Sequence, residues 1–252
     1  MRIMKNIINA SFKLFFILLF FSNTLGAEYP KRILFVGNSY LYYNDSVHNH
    51  VERLLIEHYN DNEIITKSAT IGGSKLHNHN IDHLLNHENL QLDKSIDLLI
   101  MQGGSIEVTT PERRENFSET AVRFSNKAHR LGIKTALYMT HAYLEKDKRY
   151  EPNLIKKIKK TYYEAGKRSD SLVIPVGLAY EIAYRENPQI RLHHQDGTHP
   201  GLLGTYLGAC TVFTIVTNSS PEGLSYNYLN KISDQDRLFL QKIAWKAYLK
   251  NK

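Results

Sequence analysis

The chain has 252 residues, 42% of them hydrophobic and 11% aromatic, which is enough apolar material for one sizeable core and points to one domain. The formal net charge is +7, but three of the 32 basic residues and none of the 25 acidic ones lie in 1–27, so the remainder carries +4. A charge that small gives no basis for nucleic-acid binding, and a lone cysteine, Cys210, rules out an intramolecular disulfide.

Residues 1–27 read as a signal peptide ahead of a domain at 28–252. Arg2, Lys5 and Lys13 supply a positive start, LFFILLFF at 14–21 an unbroken apolar core, and Thr24, Gly26 and Ala27 the small residues before a cut. Eight apolar residues suit a signal core and are too few to span a bilayer, although an uncleaved anchor is the alternative reading. No cysteine follows the apolar run, which argues against a lipid anchor. The expectation is a secreted or periplasmic protein with no stable membrane insertion after cleavage.

Strand-like and helical patterns then alternate. Residues 33–36 predict a buried strand, and Val47, Val51, Leu54 and Leu55 mark one face of the helix after it. A second strand is expected over 63–71, a helical segment over 76–87 and a third strand over 96–101. After Pro111, the residues Phe117, Ala121, Phe124, Ala128 and Leu131 recur with helical spacing. A fourth strand (133–139), a helix (153–167) and a fifth strand (172–176) follow. An apolar helix (202–216) and an amphipathic one (234–249) close the chain. In the 153–167 helix, Leu154, Ile158, Tyr162 and Ala165 form the inner stripe, which leaves the lysine run 156–160 as a solvated face. Cys210 sits in LGACTVFTIV, where a thiol behaves as a small buried hydrophobe.

Alternation of this kind implies parallel pairing through right-handed crossovers, hence a three-layer α/β/α sandwich. Pro175 cannot donate to a sheet ladder and belongs on an edge strand, which fits the flavodoxin-like order 2-1-3-4-5.

In such sheets ligands gather beyond the carboxyl ends of the strands. After the first strand comes Gly37-Asn38-Ser39-Tyr40, after the second Ile71-Gly72-Gly73-Ser74, and after the third Gln102-Gly103-Gly104-Ser105. Asp196-Gly197-Thr198-His199-Pro200 precedes the apolar helix. A serine hydroxyl becomes a nucleophile when an imidazole takes its proton, and a carboxylate fixes that imidazole's tautomer. Asp196 and His199, three apart on one loop, can meet without a second segment. Glycine turns let backbone N–H groups approach an oxyanion, and an amide such as Gln102 can add a donor. Taken singly, the serine also reads as a helix N-cap and the Asp-x-x-His as an ordinary loop. Their order along the chain is what carries the catalytic reading.

These blocks resemble the SGNH (GDSL-like) hydrolases over roughly residues 31–217. GNSY at 37–40 is similar to their first block, with Asn38 where aspartate is usual. TIGGS at 70–74 resembles the second, whose glycine gives an oxyanion N–H, matched by Gly73 or else Gly72. DGTHP at 196–200 resembles the last. MQGGS departs from the usual G-x-N-D and resembles instead the H-Q-G-E-S block of the sialate O-acetylesterase-like branch. The resemblance implies a Ser39–His199–Asp196 triad and an oxyanion hole of Ser39, Gly73 and Gln102, with no metal and no organic cofactor. It further implies a carboxylic-ester substrate, either a small molecule or an O-acetylated glycan. A lipid esterase or thioesterase, an O-acyltransferase and an inactive carbohydrate-binding module are the competing readings. Nothing in the sequence bears on oligomeric state.

Tyr40, His141 and His194 are candidate substrate contacts near these loops, with Tyr143 and His193 beside them. His79, His83 and His87 stand at i, i+4 and i+8 and would share a face if 76–87 were one helix. No H-E-x-x-H pattern accompanies them, and the surrounding Asn and Asp residues favour an exposed face over a metal site.

Overall fold

The computed structural model describes residues 29–251, so the expected signal peptide lies outside the described residues. Strands β1 (Arg32–Gly37), β2 (Ile65–Thr70), β3 (Leu98–Met101), β4 (Lys134–Tyr138) and β5 (Leu172–Ile174) form one sheet in the order β2-β1-β3-β4-β5. Every pairing is parallel. Helices α1 (Ser39–Tyr42), α2 (Val47–Tyr59), α3 (Ile81–Leu85), α4 (Pro111–His129), α5 (Leu154–Ser169), α6 (Val176–Glu186), α7 (Leu202–Thr217) and α8 (Asp234–Asn251) fill the connections and the C-terminal end.

Alternation along the strands divides the core in two. Ile33 and Phe35 of β1, with Leu98 and Ile100 of β3, face α2, α6, α7 and α8. Leu34, Val36, Leu99 and Met101 face α3, α4 and α5. β1 and β3 are therefore covered on both sides, which is why these two segments read as continuous apolar runs. The expected stripe of α5 is buried, and Lys156, Lys157, Lys159 and Lys160 are exposed. Cys210 is fully buried in α7, and burial pushes its thiol pKa up.

Three local expectations are corrected. The fifth strand stops at Ile174, and Pro175 starts α6, a helix absent from the sequence reading. Proline's fixed φ and missing N–H suit a helix start, and Val176, Ala179, Tyr180 and Ala183 are buried at helical spacing. The 76–87 segment is not one helix but a 3-10 turn (Leu76–Asn78), α3 and a second 3-10 turn (His87–Leu90). Asn80 and Asn86 interrupt it, each accepting a following N–H in its side chain. His79, His83 and His87 consequently share no face. Among the described residues no group of three or more His, Cys, Asp or Glu is placed to hold a metal ion. Leu131 falls beyond the end of α4, where a turn through Gly132 at φ +75° leaves it 58% exposed.

Among the described residues no helix is long and apolar enough to cross a membrane. The parallel arrangement sends residues 37–40, 71–74, 102–105 and 139–143 to one edge of the sheet. The loop before α7 meets them there through Leu144 N–H to Gly197 O (2.9 Å).

Candidate active site

The turn that carries Ser39 is built from the end of β1. Asn38 is extended (φ −133°) and caps α1 by accepting the Tyr40 N–H at 3.1 Å, which makes Ser39 the first helical residue. The Asn38 N–H donates to Gln102 Oε1 (2.9 Å), and its side-chain Nδ2 donates to the Ser74 carbonyl (3.0 Å). A Cβ on Gly37 would lie 2.5 Å from Gln102 Oε1 and 2.8 Å from Leu41 Cδ1, so any side chain there would displace the Gln102 amide from its bond to Asn38.

His199 reaches across from the loop before α7. Its Nε2 lies 2.9 Å from Ser39 Oγ, and its Nδ1 lies 2.6 Å from Asp196 Oδ2. The other carboxylate oxygen accepts the Thr198 and His199 N–H groups, both at 2.9 Å. A nitrogen facing a carboxylate carries the proton, so Nε2 presents its lone pair to the serine hydroxyl. Partial burial works against the Asp196 charge, but the hydrogen bonds from Thr198 N–H and from His199 hold its pKa well below the usual carboxylate range. The structure thus joins three residues that lie up to 160 positions apart in the sequence. The Tyr43 ring stacks on the His199 imidazole at 4.3 Å.

The other candidate contacts divide into supports and rim. Tyr40 is buried, and its hydroxyl meets Thr198 Oγ1 at 2.6 Å. His141 is buried between the rings of Tyr40 (4.7 Å) and Tyr180 (4.4 Å) and hydrogen-bonds the Thr198 carbonyl at 2.7 Å. His193 bonds the Ala142 carbonyl through Nε2 (2.9 Å), so Nδ1 accepts the Tyr184 hydroxyl (2.6 Å). Burial lowers both histidine pKa values, that of His193 to about 4, and keeps both neutral at pH 7. The Tyr143 ring is buried too, its hydroxyl on the Ser105 carbonyl at 2.9 Å. Tyr40, His141 and Tyr143 brace the loops from behind, whereas His194 is exposed at the rim, 3.4 Å from Asp196 Oδ2.

On the opposite side of Ser39 runs the 71–74 loop, anchored by Ile71 N–H to Gly37 O at 3.1 Å. Gly73 is exposed at φ +71°, a conformation that favours glycine. The N–H groups of Ser39, Gly72 and Gly73 donate to no protein group among the described residues. Gln102 is fully buried, and both ends of its amide meet main chain: Oε1 takes the Asn38 N–H, and Nε2 donates to the Gly103 carbonyl.

No motif in the sequence marks Tyr43, the second bond of Asn38, or Glu107. Glu107, placed three residues after Gly104, is buried, and its carboxylate accepts the Gly104 N–H. An acid that close to a glycine turn was the only signal available.

No family model and no curated relative matches the sequence. Solved structures do. A DUF4886 family protein from Bacteroides uniformis ATCC 8492 superposes with a TM-score of 0.71 at 18% identity, over 86% of this chain and 94% of that one. A candidate SGNH hydrolase from Slackia heliotrinireducens gives 0.58 at 20% identity, over 72% and 96%. The acetyl xylan esterase AlAXEase gives 0.57 at 17% identity, over 73% and 99%. The chain shares the fold of these SGNH-type and esterase structures.

Proposed function

We propose that the chain is an exported serine esterase working through an acyl-enzyme. The observation that carries this reading is the hydrogen-bonded chain from Ser39 Oγ through His199 to Asp196, at 2.9 and 2.6 Å. Ser39 attacks the ester carbonyl while His199 Nε2 takes its proton, then returns it to the departing alcohol. The acyl group remains on Ser39 Oγ. Water attacks that ester with His199 again as base, which releases the carboxylic acid and restores the serine. Asp196 orients the ring and stabilises the imidazolium.

The unpaired N–H groups of Ser39 and Gly73 are suited to hold the tetrahedral oxyanion. Gln102 has one Nε2 hydrogen beyond that given to Gly103, and this is our third donor. The same side chain steadies the nucleophile turn by accepting the Asn38 N–H.

The substrate we favour is an O-acetylated carbohydrate. Two observations support it: the glutamine-type third block, and a fold shared with a protein described as an acetyl xylan esterase. The basic start and short apolar core of residues 1–27 support export.

A fluorophosphonate probe should label Ser39 stoichiometrically and abolish hydrolysis of p-nitrophenyl acetate. A panel of acetylated xylan, acetylated peptidoglycan, acetylated sialic acid and longer-chain esters then ranks the substrates. An unlabelled Ser39 in a protein that still hydrolyses the ester would overturn the triad.

A further inference from the structure

Behind the loops that carry Gly73 and Gln102 lies a carboxylate for which the triad chemistry has no use. Glu107 is 2% exposed. It accepts the Gly104 N–H, and each of its oxygens lies 3.4 Å from the Leu76 nitrogen. Gly104 belongs to the turn after β3, and Leu76 follows the 71–74 loop after β2, so one side chain joins the two. Packing around it is tight. A Cβ on Gly103 would stand 3.0 Å from Glu107 Oε2, and one on Gly104 would stand 2.9 Å from the Ser74 carbonyl and 3.3 Å from Oε2. The two glycines thus make room for the carboxylate.

A buried carboxylate is costly unless hydrogen bonds compensate it, and here the compensation is backbone N–H rather than a cation. Lys75, on the 72–76 loop, acts on it only through space. From α5 comes the Tyr162 hydroxyl, which accepts the Gly103 N–H at 3.1 Å. From α4 comes the apolar Phe117, while Arg114 is engaged with the Val108 carbonyl at 2.9 Å. His79 is turned to Ser74 Oγ at 3.2 Å.

We propose that Glu107 is a positioning residue for ester hydrolysis: its carboxylate ties the turn after β3 to the loop after β2 and so holds the Gly73 N–H beside Ser39. This rests on the esterase reading above. The ionised form can accept both N–H groups, whereas a protonated carboxyl directs a hydrogen at one of them. Burial raises the Glu107 pKa to about 7, so the clamp loosens as pH falls through neutrality.

The test is the pH profile of p-nitrophenyl acetate hydrolysis by wild type and Glu107→Gln. In wild type, protonation of Glu107 should add to the acid limb that any general-base mechanism gives, making log kcat fall more steeply than one proton. In Glu107→Gln the acid limb should fall to a slope of one. Its kcat at pH 8 should drop about 10- to 100-fold, less than the roughly 100- to 1,000-fold of a donor removed outright, with KM within about two-fold. Labelling of Ser39 by a fluorophosphonate should survive in the variant. Equal kcat and equal slopes in the two proteins would overturn the proposal. If the variant does not fold, the wild-type limb decides: steeper than one proton supports the clamp, and a single-proton limb overturns it. Failure of wild-type Ser39 to react with the probe would instead remove the esterase reading.

Discussion

The Asn38 side-chain Nδ2 donates to the Ser74 carbonyl at 3.0 Å, which fastens the turn that carries Ser39 to the loop that carries Gly73. At the same time Asn38 Oδ1 caps α1 through the Tyr40 N–H. An amide can do both, and an aspartate can do only the second. This gives a physical reason for asparagine at a position where the resembling family has aspartate.

Asn38→Asp should therefore keep the helix cap and lose the tie. A buried carboxylate oxygen would face a carbonyl oxygen, at a cost of about 1–3 kcal/mol. In a domain of this size that lowers the melting temperature by roughly 2–12 °C. Calorimetry with parallel kinetics checks it, and kcat should fall more than KM rises. A variant with wild-type melting and wild-type kcat would show that the tie contributes nothing.

Ser39→Ala and His199→Ala should each abolish acyl-enzyme formation and cost about equally, because triad members act as a unit. Gln102→Ala should differ from both: Ser39 stays reactive toward a fluorophosphonate, while kcat falls about 10- to 1,000-fold with little change in KM. Steady-state kinetics combined with probe labelling separates the two patterns. Full kcat in Gln102→Ala would remove it from the oxyanion hole and from support of the turn.

The lowered His193 pKa bears on how the fold responds to acid. The His193 pKa is lowered in the folded state to about 4, so below the unfolded value the unfolded chain binds more protons and stability falls with pH. The loss begins near pH 6.5, continues to about pH 4 and amounts to roughly 3 kcal/mol from this residue. His193→Gln keeps a donor for the Ala142 carbonyl and an acceptor for the Tyr184 hydroxyl without taking a charge. Its melting temperature should decline less than that of wild type between pH 7 and pH 4. Parallel declines would mean that His193 is not the group being protonated.

Much of the scaffold was legible because two-sided burial writes itself as apolar runs. The runs 33–36 and 96–101 read as buried strands, and the serine after the first, with Asp-x-x-His on the loop before the apolar helix, suggested the catalytic reading. The start of α6 was not legible, since Val176 extends the apolar run of β5 and only Pro175 marks the change. The segmentation of 76–87 depended on side-chain caps from Asn80 and Asn86, which compete with helix continuation by margins too small for periodicity to reveal.

The sequence by itself determined the alternation of strands and helices, the parallel sheet and the chemical types brought to its edge. Those properties follow from hydrophobic period and chain order, which are local or nearly so. Tertiary structure alone decided that Tyr40 and His141 brace the site from within, that Gln102 turns its carbonyl to the Asn38 N–H, and that Glu107 is buried against the adjacent Gly103 and Gly104. Burial and hydrogen-bond partners are set by segments tens of residues apart, and the same side chain behaves differently once water has been replaced by a backbone N–H.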